Sequence, residues 1–371
     1  MPRSGVRVEK LDWRDVPLEA IDLPKARLQL TFGLGSGLSS CGGRVFAVTD
    51  RGPNLFVSQA VDDYGLGHLE PLRGIRDAKI MPFPDTGPEI AELSVAGSEV
   101  RLVRRMPLRT RSGKPISGRA LPGGEMEAVF DLRGRPLQPD ALGADTEAIA
   151  AMPDGGFFVA EEYGPSLLKA DEIGVVTQRW VPAGREAELA HPDLLVRGVL
   201  PERAARRRRN RGFEALCASA DGAWLYAGVQ SALKGEDKRS APVWKLDAST
   251  GEFAGEYLYP FDEPSSFRRD ADRRKVGPPD LKICEFAWAG EDRLIVLERI
   301  AHTAKLYLVS LADLSGKRLL VSSDDFPEIG PDIEGLTLLS PTEIMISSDN
   351  DFSVEGAETE FWRIRFDEPV V

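Results

Sequence analysis

The sequence predicts an all-β chain forming a single β-propeller, on two grounds: a glutamate-led hairpin phrase that keeps returning, and a composition crowded with turn formers. The phrase occurs at Asp145-Thr146-Glu147-Ala148-Ile149, Gly212-Phe213-Glu214-Ala215-Leu216, Ile283-Cys284-Glu285-Phe286-Ala287 and Asp332-Ile333-Glu334-Gly335-Leu336. The 371 residues include 36 Gly and 27 Pro, which suits many tight turns better than long helices.

Each glutamate is followed by a short apolar stretch, a polar turn and a second apolar stretch. The turns are Pro153-Asp154-Gly155-Gly156, Ala220-Asp221-Gly222, Gly290-Glu291-Asp292 and Ser340-Pro341-Thr342. Phe157 to Ala160, Trp224 to Ala227, Leu294 to Leu297 and Ile344 to Ser347 lie beyond them, of strand length and rich in aromatic or β-branched residues. A third strand follows at Leu167 to Ala170, Val243 to Leu246, Lys305 to Val309 and Phe361 to Phe366, so each unit is an antiparallel sheet of three or four strands.

A fifth copy leads from Gly35-Ser36-Gly37-Leu38 through Cys41-Gly42-Gly43 to Val45-Phe46-Ala47-Val48 and Asp50, with Ser36 at the glutamate position. Repeats of roughly 50 to 70 residues favour one ring of sheets over two domains. The whole chain, 1–371, is expected to be one domain, closed by pairing Val6 to Leu11 with the C-terminal strand. Two insertions interrupt it, at 61–144 and 181–210. In the first, Glu92 to Val95 and Glu99 to Pro107 are expected to make a degenerate blade. Six blades fit best, with five or seven also compatible.

A formal net charge of −12 argues against nucleic acid as a partner and favours cations. The basic run Arg203 and Arg206 to Arg209 is read first as a solvated segment and second as an attractor of anions. Cys41, Cys217 and Cys284 imply no disulfide framework. No stretch is long and apolar enough to span a bilayer, and Met1 to Trp13 lacks a secretory core. The chain as given therefore points to the cytoplasm, and to the periplasm or outside if a leader has been trimmed. A monomer is expected.

Equivalent innermost positions of a propeller converge, so Glu147, Glu214, Glu285 and Glu334 are expected to face one another. Carboxylates gathered at reduced dielectric need protons or a cation between them. Calcium suits oxygen ligands, and with only His68, His191 and His302 there is no zinc spacing. The metal set expected is Glu147, Glu214, Glu285, Glu334, Asp50 and Glu161. The bland reading is that each glutamate only bonds backbone amides of a neighbouring sheet. Arg51, Glu162, Gln230, Glu298, Asp349 and Asn350 are candidates for holding substrate, with guanidinium groups matched to phosphate or carboxylate oxygens. Glu214, Glu147, Arg211 and Arg299 are the catalytic candidates.

These phrases, with Phe157-Phe158-Val159-Ala160-Glu161-Glu162-Tyr163-Gly164-Pro165, Asn210-Arg211, Leu297-Glu298-Arg299 and Asp349-Asn350-Asp351, resemble the family called esterase-like activity of phytase. The resemblance implies a β-propeller, phosphoester hydrolysis and members that are commonly exported. Carried over by position, it implies functional roles for Glu147, Glu161, Glu162, Arg211, Glu214, Glu298, Arg299, Glu334, Asp349 and Asn350. The expected function is calcium-dependent hydrolysis of a small phosphorylated or anionic ligand. A non-catalytic propeller whose calcium only fixes the sheets, and a lactonase-type ester hydrolase, are the alternatives.

Overall fold

The computed structural model describes residues 5–371, so residues 1–4 of the expected domain lie outside it. The chain is all-β, with short helical turns. Among the described residues, five sheets of four or five strands carry the repeat. Their first strands are Gly37–Cys41, Thr146–Ala151, Phe213–Ala218, Lys282–Trp288 and Ile333–Ser340. These strands touch one another in chain order, and Ile333–Ser340 touches Gly37–Cys41 in turn.

The strands alternate residue by residue between two neighbours, which explains why they read as nearly continuous apolar runs. In Phe157–Glu161 of the second sheet, Phe157 and Val159 pack with Phe46, Val48 and Ile90 of the first. Phe158 and Ala160 point the other way and pack with Leu216, Leu225 and Trp244 of the third. Further clusters join the third sheet to the fourth, the fourth to the fifth, and the fifth to the first. Each sheet is thus buried on both faces.

The hairpin expected to form a degenerate sixth blade is instead the outer half of the first sheet. Glu89–Ala96 pairs with Arg44–Val48, and Glu99–Pro107 pairs with Glu89–Ala96. The insertion separates the second strand of that sheet from its third. Leu55–Phe56, Lys79–Ile80 and Val129–Phe130 make a small sheet of their own, packed on a cluster that includes Leu28, Leu69 and Phe352. The 181–210 insertion supplies Leu195–Leu200, a fifth strand added parallel to Val176–Pro182.

The fifth sheet joins both ends of the chain. Val6–Leu11 runs antiparallel to Phe361–Phe366 in unbroken register from Val6 opposite Phe366 to Leu11 opposite Phe361. Leu11 is buried with Phe361, while Val6 and Val8 pack against the cluster holding Trp362 and Ile364. Removing residues 1–11 exposes that edge and those side chains. Thermal denaturation of the truncated chain is expected to show a midpoint lowered by about 10 °C or more; an unchanged midpoint would deny this strand a role in stability.

Candidate functional site

The first strands carry a local irregularity that builds the site. In the second sheet Thr146 pairs with Glu161 and Ala148 with Ala160, leaving Glu147 as an extra residue. Glu214 is the extra residue of the third sheet and Glu334 that of the fifth. Such a bulge re-aims its side chain. In the fourth sheet Ile283 pairs with Glu298 and Glu285 with Leu297, so the bulged residue is Cys284. The structure therefore places Glu285 one position past the other three glutamates, and a thiol where a carboxylate was expected.

That offset gives Glu285 a different task. Its carboxyl, fully buried, accepts from the amides of Leu216 (3.0 Å), Phe286 (3.0 Å) and Leu38 (3.3 Å), so it links the third, fourth and first sheets. This is the amide-bonding role weighed against metal binding. Gly37 makes it geometrically feasible: a Cβ there would sit 2.9 Å from Glu285 Oε2 and 2.8 Å from Ala148 Cα.

Above Glu285 the carboxyls concentrate on the second and third sheets. Asp145, Glu147 and Glu162 bring one oxygen each within 4.8 Å of one another. Asp145 also accepts from the Arg51 guanidinium at 2.7 Å and the Arg51 amide at 3.2 Å. Glu162 lies beside Glu214, and Gln230 Nε2 donates to Glu214 Oε1. Oε2 of the buried Glu162 has no partner, and neither has Oε1 of Gln230.

Crowding shows in the proton affinities. Burial first, then Glu214 and Asp145, holds Glu147 well above the ordinary carboxylate range. Burial and Glu162 do the same to Glu214. Glu162 is pushed up to about 7 by burial and Asp145, against the pull of its bond to Glu214 and of Arg207. Asp50 and Asp349 extend the acidic region, both raised mainly by burial. Ser36, at the position without a glutamate, donates to Asp349 Oδ2 at 2.5 Å.

Cations gather on the fourth sheet, around Cys284. Arg299 Nε donates to its sulfur at 3.1 Å, and the same guanidinium binds Asp332 (3.0 Å) and Glu334. Burial works against the charge of Arg299, but Glu334, Cys284 and Asp332 outweigh it. Lys282 is lowered by Arg299 and then by burial. Arg211 is lowered chiefly by burial, and its Nη1 has no hydrogen-bond partner.

Three further candidates are committed elsewhere. Glu161 accepts from the amides of Tyr163 (2.8 Å) and Gly164 (2.9 Å) and from Ser166 Oγ, shaping the turn that carries Glu162. Glu298 accepts from Tyr259 Oη, the Asp262 amide and Lys317 Nζ. The Asn350 amide group reaches Thr31 Oγ1 (3.1 Å) and the Phe32 carbonyl (3.2 Å), fastening the preceding hairpin. Asp145, Lys282 and Cys284 were not singled out from the sequence, although Asp145 and Cys284 stand inside the repeated phrases.

A cavity of about 980 Å³ opens onto this end. Arg211, Gln230 and Lys282 line one wall, and both insertions add to it, with Lys79 and Glu127 from one and Arg208 and Arg209 from the other. The basic run is therefore not simply solvated. Arg209 pairs with Asp77, and the buried Arg207 donates to the Tyr163 carbonyl. Glu214 and Glu162 are the acids that bear most on Arg211, so the acidic cluster adjoins this wall, and acids beside cations can take a cation and an anion together.

Residues 31–352 match the family described as Phytase-like, esterase-like activity of phytase. The chain belongs to this family. A protein of Arthroderma benhamiae called an uncharacterized secreted protein is 26% identical over 258 residues, which is 58% of this chain and 47% of that one. The chain thus aligns with about half the length of that relative. A Dyadobacter fermentans structure of unknown function covers 98% of this chain and 100% of its own at 12% identity, with a TM-score of 0.40. The PQQ-bound aldose sugar dehydrogenase of Streptomyces coelicolor covers 98% and 99% at 10% identity, with a TM-score of 0.37. Among the described residues no helix is long and apolar enough to cross a membrane.

The raised carboxyls have a testable sign. Between the ordinary value of 4.5 and about 7, Glu162 holds a proton in the folded chain that it lacks in the unfolded one. The stabilisation is complete below the ordinary value and is lost as pH rises through about 7. With chelator present, the denaturation midpoint is expected to fall from about pH 5 to about pH 8. A flat midpoint in chelator would contradict the crowding. Glu285→Ala removes the acceptor of three amides and is expected to cost about 2–4 kcal/mol in denaturant unfolding.

Proposed function

We propose that this chain is a calcium-dependent hydrolase of phosphate esters, built as a five-bladed propeller with its site at one end of the axis. One observation carries the proposal: an oxygen-only cluster with an unpartnered buried oxygen on Glu162 lies near Arg211, which with Lys282 lines the cavity. The donor set suits a hard divalent cation, with Asp145, Glu147 and Glu162 as the residues that would hold it. Asp145 and Glu162 take ligand positions that the sequence assigned to Glu285 and Glu161. A cation held there neutralises phosphate oxygens and acidifies a bound water.

The chain's own groups do the rest. Arg211 and Lys282 attract and orient the phosphate, and the unused Nη1 of Arg211 suits one of its oxygens. Glu214, steadied by Gln230, is placed beside the cluster to accept a proton from water. Arg299, saturated by Glu334, Asp332 and Cys284, holds the wall in shape rather than gripping substrate.

Phosphate release from a simple phosphomonoester is expected with calcium and not with chelator. Glu214→Gln is expected to lower kcat/KM by about 100-fold or more, while Glu147→Gln weakens calcium binding. If chelation lowers the denaturation midpoint but no phosphoester is cleaved, the ion is structural and the hydrolase proposal is overturned.

A further inference from the structure

The cavity over the axial end contains one feature that its charge does not explain. Phe56 is 45% exposed and lines it among arginines, lysines and acids, with Met126 as the other apolar side chain of the lining. Its position is set by the small insertion sheet. Leu55 lies opposite Ile80 and Phe56 opposite Lys79, and the first pair is fully buried. Alternation along the strand then turns the second pair outward.

The outward pair is organised. Lys79 Nζ lies over the Phe56 ring, 3.4 Å from its centre, so the ammonium covers one face and the exposed part of the ring is what remains for a ligand. The Phe56 amide donates to Gln59 Oε1 at 2.8 Å, fixing the backbone where the helix Val57–Asp62 begins. Outward pleating alone asks only for a polar residue at position 56; a phenyl ring there leaves apolar surface inside a charged cavity. The neighbouring cations Arg209 and Lys234 are occupied by Asp77 and Glu125.

We propose that Phe56 and Lys79 form a subsite for a planar aromatic group carried by the anionic ligand, so that aryl phosphates and nucleotides are preferred over aliphatic phosphate esters. This rests on the anion-binding reading of the same cavity. The aromatic group lies against Phe56 in an offset or edge-on contact, while Lys79 draws the attached phosphate inward towards Lys282 and Arg211. At about 980 Å³ the cavity has room for a mononucleotide.

The test uses the full chain in calcium with 1-naphthyl phosphate, adenosine 5′-monophosphate and glycerol 2-phosphate, read by calorimetry, or as KM where turnover occurs. The aromatic ligands are expected to bind about fivefold more tightly than glycerol 2-phosphate. Phe56→Ala should abolish that preference and leave glycerol 2-phosphate within about twofold, while Phe56→Tyr should keep it. Preference for the nucleotide over the naphthyl ester, or the reverse, identifies which aromatic group the subsite serves. Equal binding of all three by the wild type, or a preference that survives Phe56→Ala, overturns the subsite and leaves the hydrolase proposal standing. Aromatic preference without turnover keeps the subsite and removes the hydrolase; no binding of any phosphate overturns both.

Discussion

Close approach of the five first strands is the constraint on which the rest depends. Where they meet, a side chain must be absent, small or able to satisfy the amides of its neighbours. Gly37 meets the first condition and Glu285 the last, with bonds into three sheets. Only at the strand entries, where an extra residue bends the backbone, do Glu147, Glu214 and Glu334 turn inward together. The acidic site is thus a product of sheet packing.

Its electrostatics follow from which sheets contribute what. Carboxyls from the second and third sheets sit too close to ionise independently, whereas the fourth sheet contributes Lys282, Cys284 and Arg299 in place of another acid. The result is a division of charge across a few residues at a mouth that both insertions surround. A uniform ring of acids would repel any anion; this arrangement sets cations beside the acids instead.

The repeat and its strands were legible because sheets buried on both faces write their apolar runs plainly. The register of the fourth repeat was not: Ile283-Cys284-Glu285 aligns by its glutamate, but the bulge falls on the cysteine, and a one-residue slip turns a side chain to another environment. The sixth blade was misjudged for a related reason, since a long insertion between two strands of one sheet looks like the start of a new unit. Glu161 and Glu298 carry the same residue type as the clustered glutamates, yet hydrogen bonds to local amides and hydroxyls claim them. Phe56 gave no signal in the repeat, because the insertion that holds it obeys no repeat.

The three bonds of Glu285 also divide the axis along its length. Beyond them, towards the other end of the strands, lies a separate hollow of about 210 Å³ lined by Leu38, Cys217, Phe286 and Leu338. A side chain with its bonds thus occupies the middle of the axis. The two ends of the axis therefore offer different surroundings, charged side chains on the side of the larger cavity and an uncharged lining in the hollow.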